Sequence, residues 1–67
     1  MNSTVNFKLK SLRVMHDLTQ EELAEILEMH EVTYNRKEKG LSKFYLDEAK
    51  KISNYFGESI ETIFFNQ

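Results

Sequence analysis

Leu18-Thr-Gln-Glu-Glu-Leu-Ala-Glu-Ile-Leu-Glu-Met-His-Glu-Val-Thr-Tyr-Asn-Arg-Lys-Glu-Lys-Gly40 is the stretch on which the reading of this chain turns. Thr19 followed three residues later by Glu22 is a capping box, in which a hydroxyl and a carboxylate each satisfy an amide that the first helical turn leaves free. Behind it, Leu23, Ala24 and Leu27 fall at the spacing of one buried helical stripe, with small Ala24 where a crossing helix must come close. A second helix is expected over about 31–38, turning Tyr34 and the stem of Lys37 inward. Its opposite face carries Glu31, Val32, Asn35, Arg36 and Lys39. Only a few residues separate the two helices, and a pair crossing on so short a turn cannot enclose a core alone.

Apolar-striped segments flank the pair on both sides. A first helix is expected over about 6–16, with Leu9, Leu12, Arg13 and His16 at helical spacing. After the pair, a helix over about 46–56 turns Leu46, Ala49, Ile52, Ser53 and Phe56 inward. A last one over about 60–64, capped by Ser59, inserts Ile60, Ile63 and Phe64. Gly40 and Gly57 each follow an apolar-periodic segment, where a left-handed C-terminal cap is the common use of glycine. There is no proline, repeat or linker. The expected fold is all-α: a compact five-helix bundle, one domain over 1–67 with its core at about 6–65. It contains a helix-turn-helix whose second helix keeps a polar face free, the arrangement used to read DNA.

The 67-residue length lies near the lower limit for a chain that folds without metal or disulfides, and there is no cysteine to make either a bridge or a thiolate site. The 40% hydrophobic content suffices for a small core. No apolar run approaches the roughly 18 residues of a membrane span and no signal-peptide pattern opens the chain, so a cytoplasmic protein with no membrane partner is expected. His16 and His30 are too few for a metal site and read as local packing or capping groups. No Ser/His/Asp order, glycine-rich phosphate loop or catalytic carboxylate pair stands out, and so small a domain has little room for an enclosed pocket. The expectation is no enzyme, no cofactor, no metal and no small-molecule ligand.

The formal net charge is −2, against the basic balance usual in a DNA binder. Its distribution is uneven. Residues 1–16 carry net +3, residues 17–29 net −5 and residues 30–44 net +2. Cations thus gather on the first helix and around the third, acids on the second. Nonspecific attraction to DNA is expected to be weak.

Leu12-Arg13, then Leu18-Thr19-Gln20-Glu21-Glu22-Leu23-Ala24, then Thr33-Tyr34-Asn35-Arg36-Lys37-Glu38-Lys39-Gly40, then Phe56-Gly57-Glu58-Ser59-Ile60-Glu61-Thr62-Ile63-Phe64 follow one another in order and register. From about Leu9 to Phe64 the chain in this way resembles the Cro/CI (Xre-type) family of helix-turn-helix repressors. The wording of residues 33–38 and 46–52 is further similar to small regulators of phages and mobile elements from low-GC Gram-positive bacteria. The chain departs from the family at Glu28, where glycine usually ends the second helix, and at Lys37, a place often aromatic.

The resemblance implies roles for particular residues. Glu31, Val32, Asn35 and Arg36 stand at the groove-facing positions of the recognition helix. Arg36 can bond a guanine edge bidentately, Asn35 can pair with adenine, Val32 can pack on a thymine methyl and Glu31 can accept from cytosine. Gln20 is placed to hold a phosphate at the start of the second helix, with Thr19, Lys39, Ser42 and Lys43 as further DNA-backbone candidates. Tyr34 is expected mainly in the core, its hydroxyl a candidate to touch the backbone. Arg13 and Glu38 are implied to pair between the first and third helices and so orient the recognition helix. Ile63, Phe64 and Phe65, with the tail Asn66-Gln67, are the candidate dimer surface.

The expected partner is double-stranded DNA, bound by a homodimer on a two-fold operator, with repression by steric exclusion of polymerase. An adaptor role in the same fold, as an antitoxin or antirepressor that masks a protein partner, is the alternative. The acidic second helix and Glu31 support it.

Overall fold

In the computed structural model, residues 6–65 are described. Among them all regular structure is helical: α1 (Phe7–Met15), α2 (Gln20–Ile26), α3 (Glu31–Glu38), α4 (Leu46–Phe56) and a single wider, π-type turn, α5 (Glu61–Phe65). No helix among the described residues is long and apolar enough to cross a membrane.

Three helices begin on a capping side chain, whereas His30, at the start of α3, makes no side-chain cap. Asn6 Oδ1 accepts from the Leu9 amide at 3.0 Å, and the Asn6 amide donates to the Glu38 carbonyl at 2.9 Å, tying the start of α1 to the end of α3. The expected capping box at α2 is present, Thr19 Oγ1 taking the Glu22 amide at 3.0 Å and Glu22 returning to the Thr19 amide at 2.8 Å. Ser59 Oγ takes the Thr62 amide at the start of the last turn.

The ends of α1 to α4 share one device. Asp17, Glu28, Gly40 and Gly57 all have left-handed backbone, with φ of 57°, 59°, 82° and 71°. A left-handed residue there lets the following amides return to carbonyls of the last helical turn. Leu18 N donates to the Arg13 carbonyl, Met29 N to Ala24, Leu41 N to Arg36 and Glu58 N to Ser53. At the first two turns the residue so delivered, Leu18 or Met29, packs on the core. Glu28 therefore reproduces the turn for which the family uses glycine.

The core joins Leu9 and Leu12 of α1, Leu23 and Ala24 of α2, the adjoining Leu27, Tyr34 of α3, Ile52 and Phe56 of α4, and Ile63 of α5. Phe44, from the loop before α4, lies between the rings of Tyr34 (6.1 Å) and Phe64 (5.4 Å). It packs against the core, whereas Leu46, expected inward, is 66% exposed. His16 packs edge-on to Phe56 at 4.9 Å with Nδ1 at 2.9 Å from the Leu12 carbonyl, a packing and capping group as expected.

One charged side chain of α4 is turned from solvent. Glu48 holds the buried Lys37 Nζ with both carboxylate oxygens, at 2.7 and 2.9 Å, and also accepts from the Tyr45 amide. The ammonium lies 4.5 Å from the Tyr45 ring centroid, so the apolar surroundings of Lys37 contribute cation–π attraction to its charge.

The left-handed conformation costs a glutamate more than an aspartate or glycine, because aspartate's short side chain tolerates it and glycine has no Cβ. Glu28 makes only an exposed, 3.5 Å contact with Lys51, worth little in water. Glu28→Gly is expected to raise unfolding stability by about 0.5–1 kcal/mol. Urea denaturation checks it, and an unchanged or lower midpoint contradicts the strain assigned to this turn.

Candidate nucleic-acid interface

The outward row of α3 is set by helical periodicity. Residues 31, 32, 35, 36 and 39 recur along one side, opposite buried Tyr34, Lys37 and Glu38. Glu31, Arg36 and Lys39 are exposed, Val32 is 72% exposed and Asn35 is half-buried. Among the described residues the Arg36 guanidinium takes part in no ion pair. An unpaired guanidinium beside an exposed branched apolar side chain is chemically suited to a base edge and a thymine methyl.

What holds this row in place lies directly beneath it. Arg13 Nε donates to Glu38 Oε2 at 2.9 Å, Nη2 to Oε1 at 3.3 Å, and Nη1 to the Leu18 carbonyl at 2.8 Å. The Tyr34 hydroxyl donates to Glu38 Oε2, and Gln20 Nε2 donates to Oε1 at 3.0 Å. Asn35 Nδ2 in turn donates to Gln20 Oε1 at 2.9 Å. Residues of α1, α2 and α3 thus converge on a carboxylate that is 2% exposed, and its two oxygens accept about as many hydrogen bonds as a carboxylate can. No buried side-chain polar atom among the described residues lacks a partner.

The titration behaviour follows from this packing. Burial pushes the Glu38 carboxyl upward, but the hydrogen bonds from Arg13, Tyr34 and Gln20 outweigh it and hold the group below its ordinary value. Hydrogen bonding to Glu38 raises Arg13 above its ordinary value despite the cost of burial. Burial first, then the bond to Glu38, pushes the Tyr34 phenol well up, so it stays protonated and can only donate to the carboxylate.

The expected Arg13–Glu38 pair is therefore present. Tyr34 is a correction: it is fully buried and its hydroxyl is spent on Glu38, so it has no surface from which to touch a DNA backbone. Gln20 and Asn35, expected as separate DNA contacts, are joined to each other and to the buried pair. Thr19, Lys39 and Lys43 are exposed and Ser42 half-buried. The Leu41 and Ser42 amides both bond the Arg36 carbonyl and so tie that loop to the end of α3.

At the other end of the molecule, Ile63 is only 2% exposed, because the last turn drives it into the core, and it drops out of the dimer candidates. Phe64 is half-buried against Phe44. Phe65, which α5 turns away from that core, is 72% exposed. It borders an open apolar groove with Phe44, Leu46, Ile60 and Phe64. Asn66 and Gln67 lie outside the described residues.

Sequence reasoning missed the Gln20–Glu38 and Asn35–Gln20 bonds. One signal for them existed: a buried glutamate paired with a single arginine still has lone pairs to satisfy, which demands further donors nearby.

A capped helix, a tight left-handed turn and a second helix with a free polar face define a helix-turn-helix module. A helix-turn-helix family model matches residues 9–63 of the chain. A relative 46% identical over 57 residues, covering 85% of this chain and 86% of its own length, is an uncharacterized HTH-type transcriptional regulator of Methanocaldococcus jannaschii. The chain belongs to the Cro/CI (Xre-type) helix-turn-helix family, whose members are DNA-binding transcriptional regulators and not enzymes.

Removing one partner of the buried pair leaves the other charge uncompensated. Arg13→Ala is expected to cost on the order of 3–5 kcal/mol, much of the stability of so small a domain, and urea denaturation measures it. Glu38 also makes stability depend on pH. Its carboxyl binds a proton less readily folded than unfolded, so its contribution is complete above the ordinary value of 4.5 and is lost as pH falls through the lower folded value. Thermal melts between pH 7 and 3 should show a fall beginning below about 4.5, and a shallower fall in Glu38→Gln. Equal slopes for the two proteins would contradict the ion pair's role.

Proposed function

We propose that the protein is a sequence-specific repressor that lays α3 in the major groove while α2 crosses the DNA backbone above it. Glu31, Val32, Asn35 and Arg36 read base edges. Gln20, Thr19, Lys39, Ser42 and Lys43 hold phosphates and set register. The observation that carries this reading is the unpaired Arg36 guanidinium, next to exposed Val32, on a helix clamped from behind by the Arg13–Glu38 pair.

One such helix contacts only a few base pairs. Useful specificity therefore needs two copies on a two-fold operator, with half-sites about 34 Å apart. Phe65 and exposed Leu46, beside the apolar groove, supply the proposed homodimer surface. Repression follows from occupancy that excludes polymerase, in the cytoplasm where the DNA lies. The wording of residues 33–38 and 46–52 supports a phage or mobile-element setting.

A second reading rests on the charge of α2 and its turn, where Glu21, Glu22, Glu25 and Glu28 are all exposed. Such a surface favours a basic protein partner, as in an antitoxin or antirepressor adaptor. Anisotropy titrations with genomic fragments at two salt concentrations separate the readings. Repression predicts binding that weakens steeply with salt, because phosphate neutralisation releases counterions. Arg36→Ala should then weaken binding to the preferred site about tenfold or more while leaving the melting temperature unchanged. Absence of DNA binding at both salts selects the adaptor.

The dimer is tested separately. Phe65→Ser is expected to shift the monomer–dimer equilibrium toward monomer in sedimentation analysis without altering the helical signal. An unchanged equilibrium in a protein that does dimerise would move the interface elsewhere.

A further inference from the structure

A second buried ion pair holds the last turn of α3 from another side. Lys37 and Glu38 are consecutive, about 100° apart around the helix. Glu38 meets Arg13 and Gln20, whereas Lys37 meets the first turn of α4. The Lys37 ammonium is enclosed by both Glu48 oxygens, at 2.7 and 2.9 Å, by the Tyr45 ring at 4.5 Å and by the Phe44 ring at 5.9 Å. Glu48 Oε1 also accepts from the Tyr45 amide at 2.9 Å. Tyr45 is thus held twice, through its backbone and through its ring, yet it is 68% exposed. Most of what this hold fixes lies in solvent.

Exposure alternates along this end of the loop. Lys43 is exposed, Phe44 packs inward and Tyr45 is exposed, with extended backbone at Tyr45 (φ −80°, ψ 160°). In extended chain, side chains two residues apart leave on the same side. The Tyr45 side chain therefore emerges on the side of Lys43.

We propose that Tyr45 is a further DNA-backbone contact, its hydroxyl donating to a phosphate beside Lys43, and that Lys37 and Glu48 are the positioning residues that hold it there. This rests on the reading of the protein as a DNA binder. The contact belongs to the side chain and not to the start of α4, because the Tyr45 amide is already spent on Glu48. Lys37 acts in two ways. It seats the ring, and it cancels the Glu48 charge, which would otherwise repel a phosphate arriving at this loop.

The wild type, Tyr45→Phe, Lys37→Met and the double variant are compared by anisotropy on one duplex over a range of salt concentrations. Thermal melts report which variants are folded, and selection from a randomised duplex pool reports base preference. Tyr45→Phe keeps a ring over the ammonium and removes only the hydroxyl. It should weaken binding about tenfold on every sequence. Base preference and the salt slope should stay as in the wild type, since a phenol neutralises no phosphate charge. Lys37→Met should weaken binding at least as much, and Tyr45→Phe should cost little more on that background.

A folded Tyr45→Phe with wild-type affinity overturns the contact. One with an altered preference at a single base pair overturns it too, and makes Tyr45 a base reader. Penalties that simply multiply in the double variant overturn the positioning role of Lys37. If the wild type binds no duplex at any salt concentration, the DNA reading itself fails and this contact with it. Should Lys37→Met not fold, Glu48→Gln takes its place in the same cycle, and the same comparison decides.

Discussion

The carboxylate of Glu38 is the point on which this molecule depends. It is buried at the C-terminal end of α3, and a lone charge there would be prohibitively costly in an interior of low polarity. It is tolerated because α1 supplies Arg13, which bonds both of its oxygens, α2 supplies Gln20 to one and α3 supplies Tyr34 to the other. Hydrophobic contacts are forgiving of small rotations, whereas these bonds are not. They fix how α3 is rolled about its axis, and so which residues face outward.

A second constraint acts on the chain's direction. Four helices end in left-handed residues, and the amides that return to the last turn set the exit angle of each segment. Two of those residues are charged side chains, not glycines. Asp17 and Glu28 accept the conformation because Leu18 and Met29, the residues that follow, are delivered onto the core. Apolar burial there outweighs a backbone cost of roughly 1 kcal/mol.

The charge of the molecule makes sense on the same scale. A net charge of −2 describes no particular face. Arg13, Lys37, Glu38 and Glu48 are consumed in internal pairs, and their charges cancel beneath the surface. What remains outside is an acidic α2 beside a third helix and loop that show Arg36, Lys39 and Lys43.

Local sequence by itself determined the all-α class, the capping box at Thr19, the span of α3 and the two glycine caps, because periodicity and capping act over three or four residues. Resemblance added the Arg13–Glu38 pair. Only the tertiary structure decided that the Tyr34 hydroxyl is spent on Glu38, that Ile63 keeps no surface for a partner, that Leu46 stays exposed, that Glu48 leaves solvent for Lys37, and that Glu28 can stand where glycine is usual. It alone joined Gln20 to Asn35. Those outcomes depend on which groups from distant segments compete for one volume or one lone pair, and no pattern along a single helix records that competition.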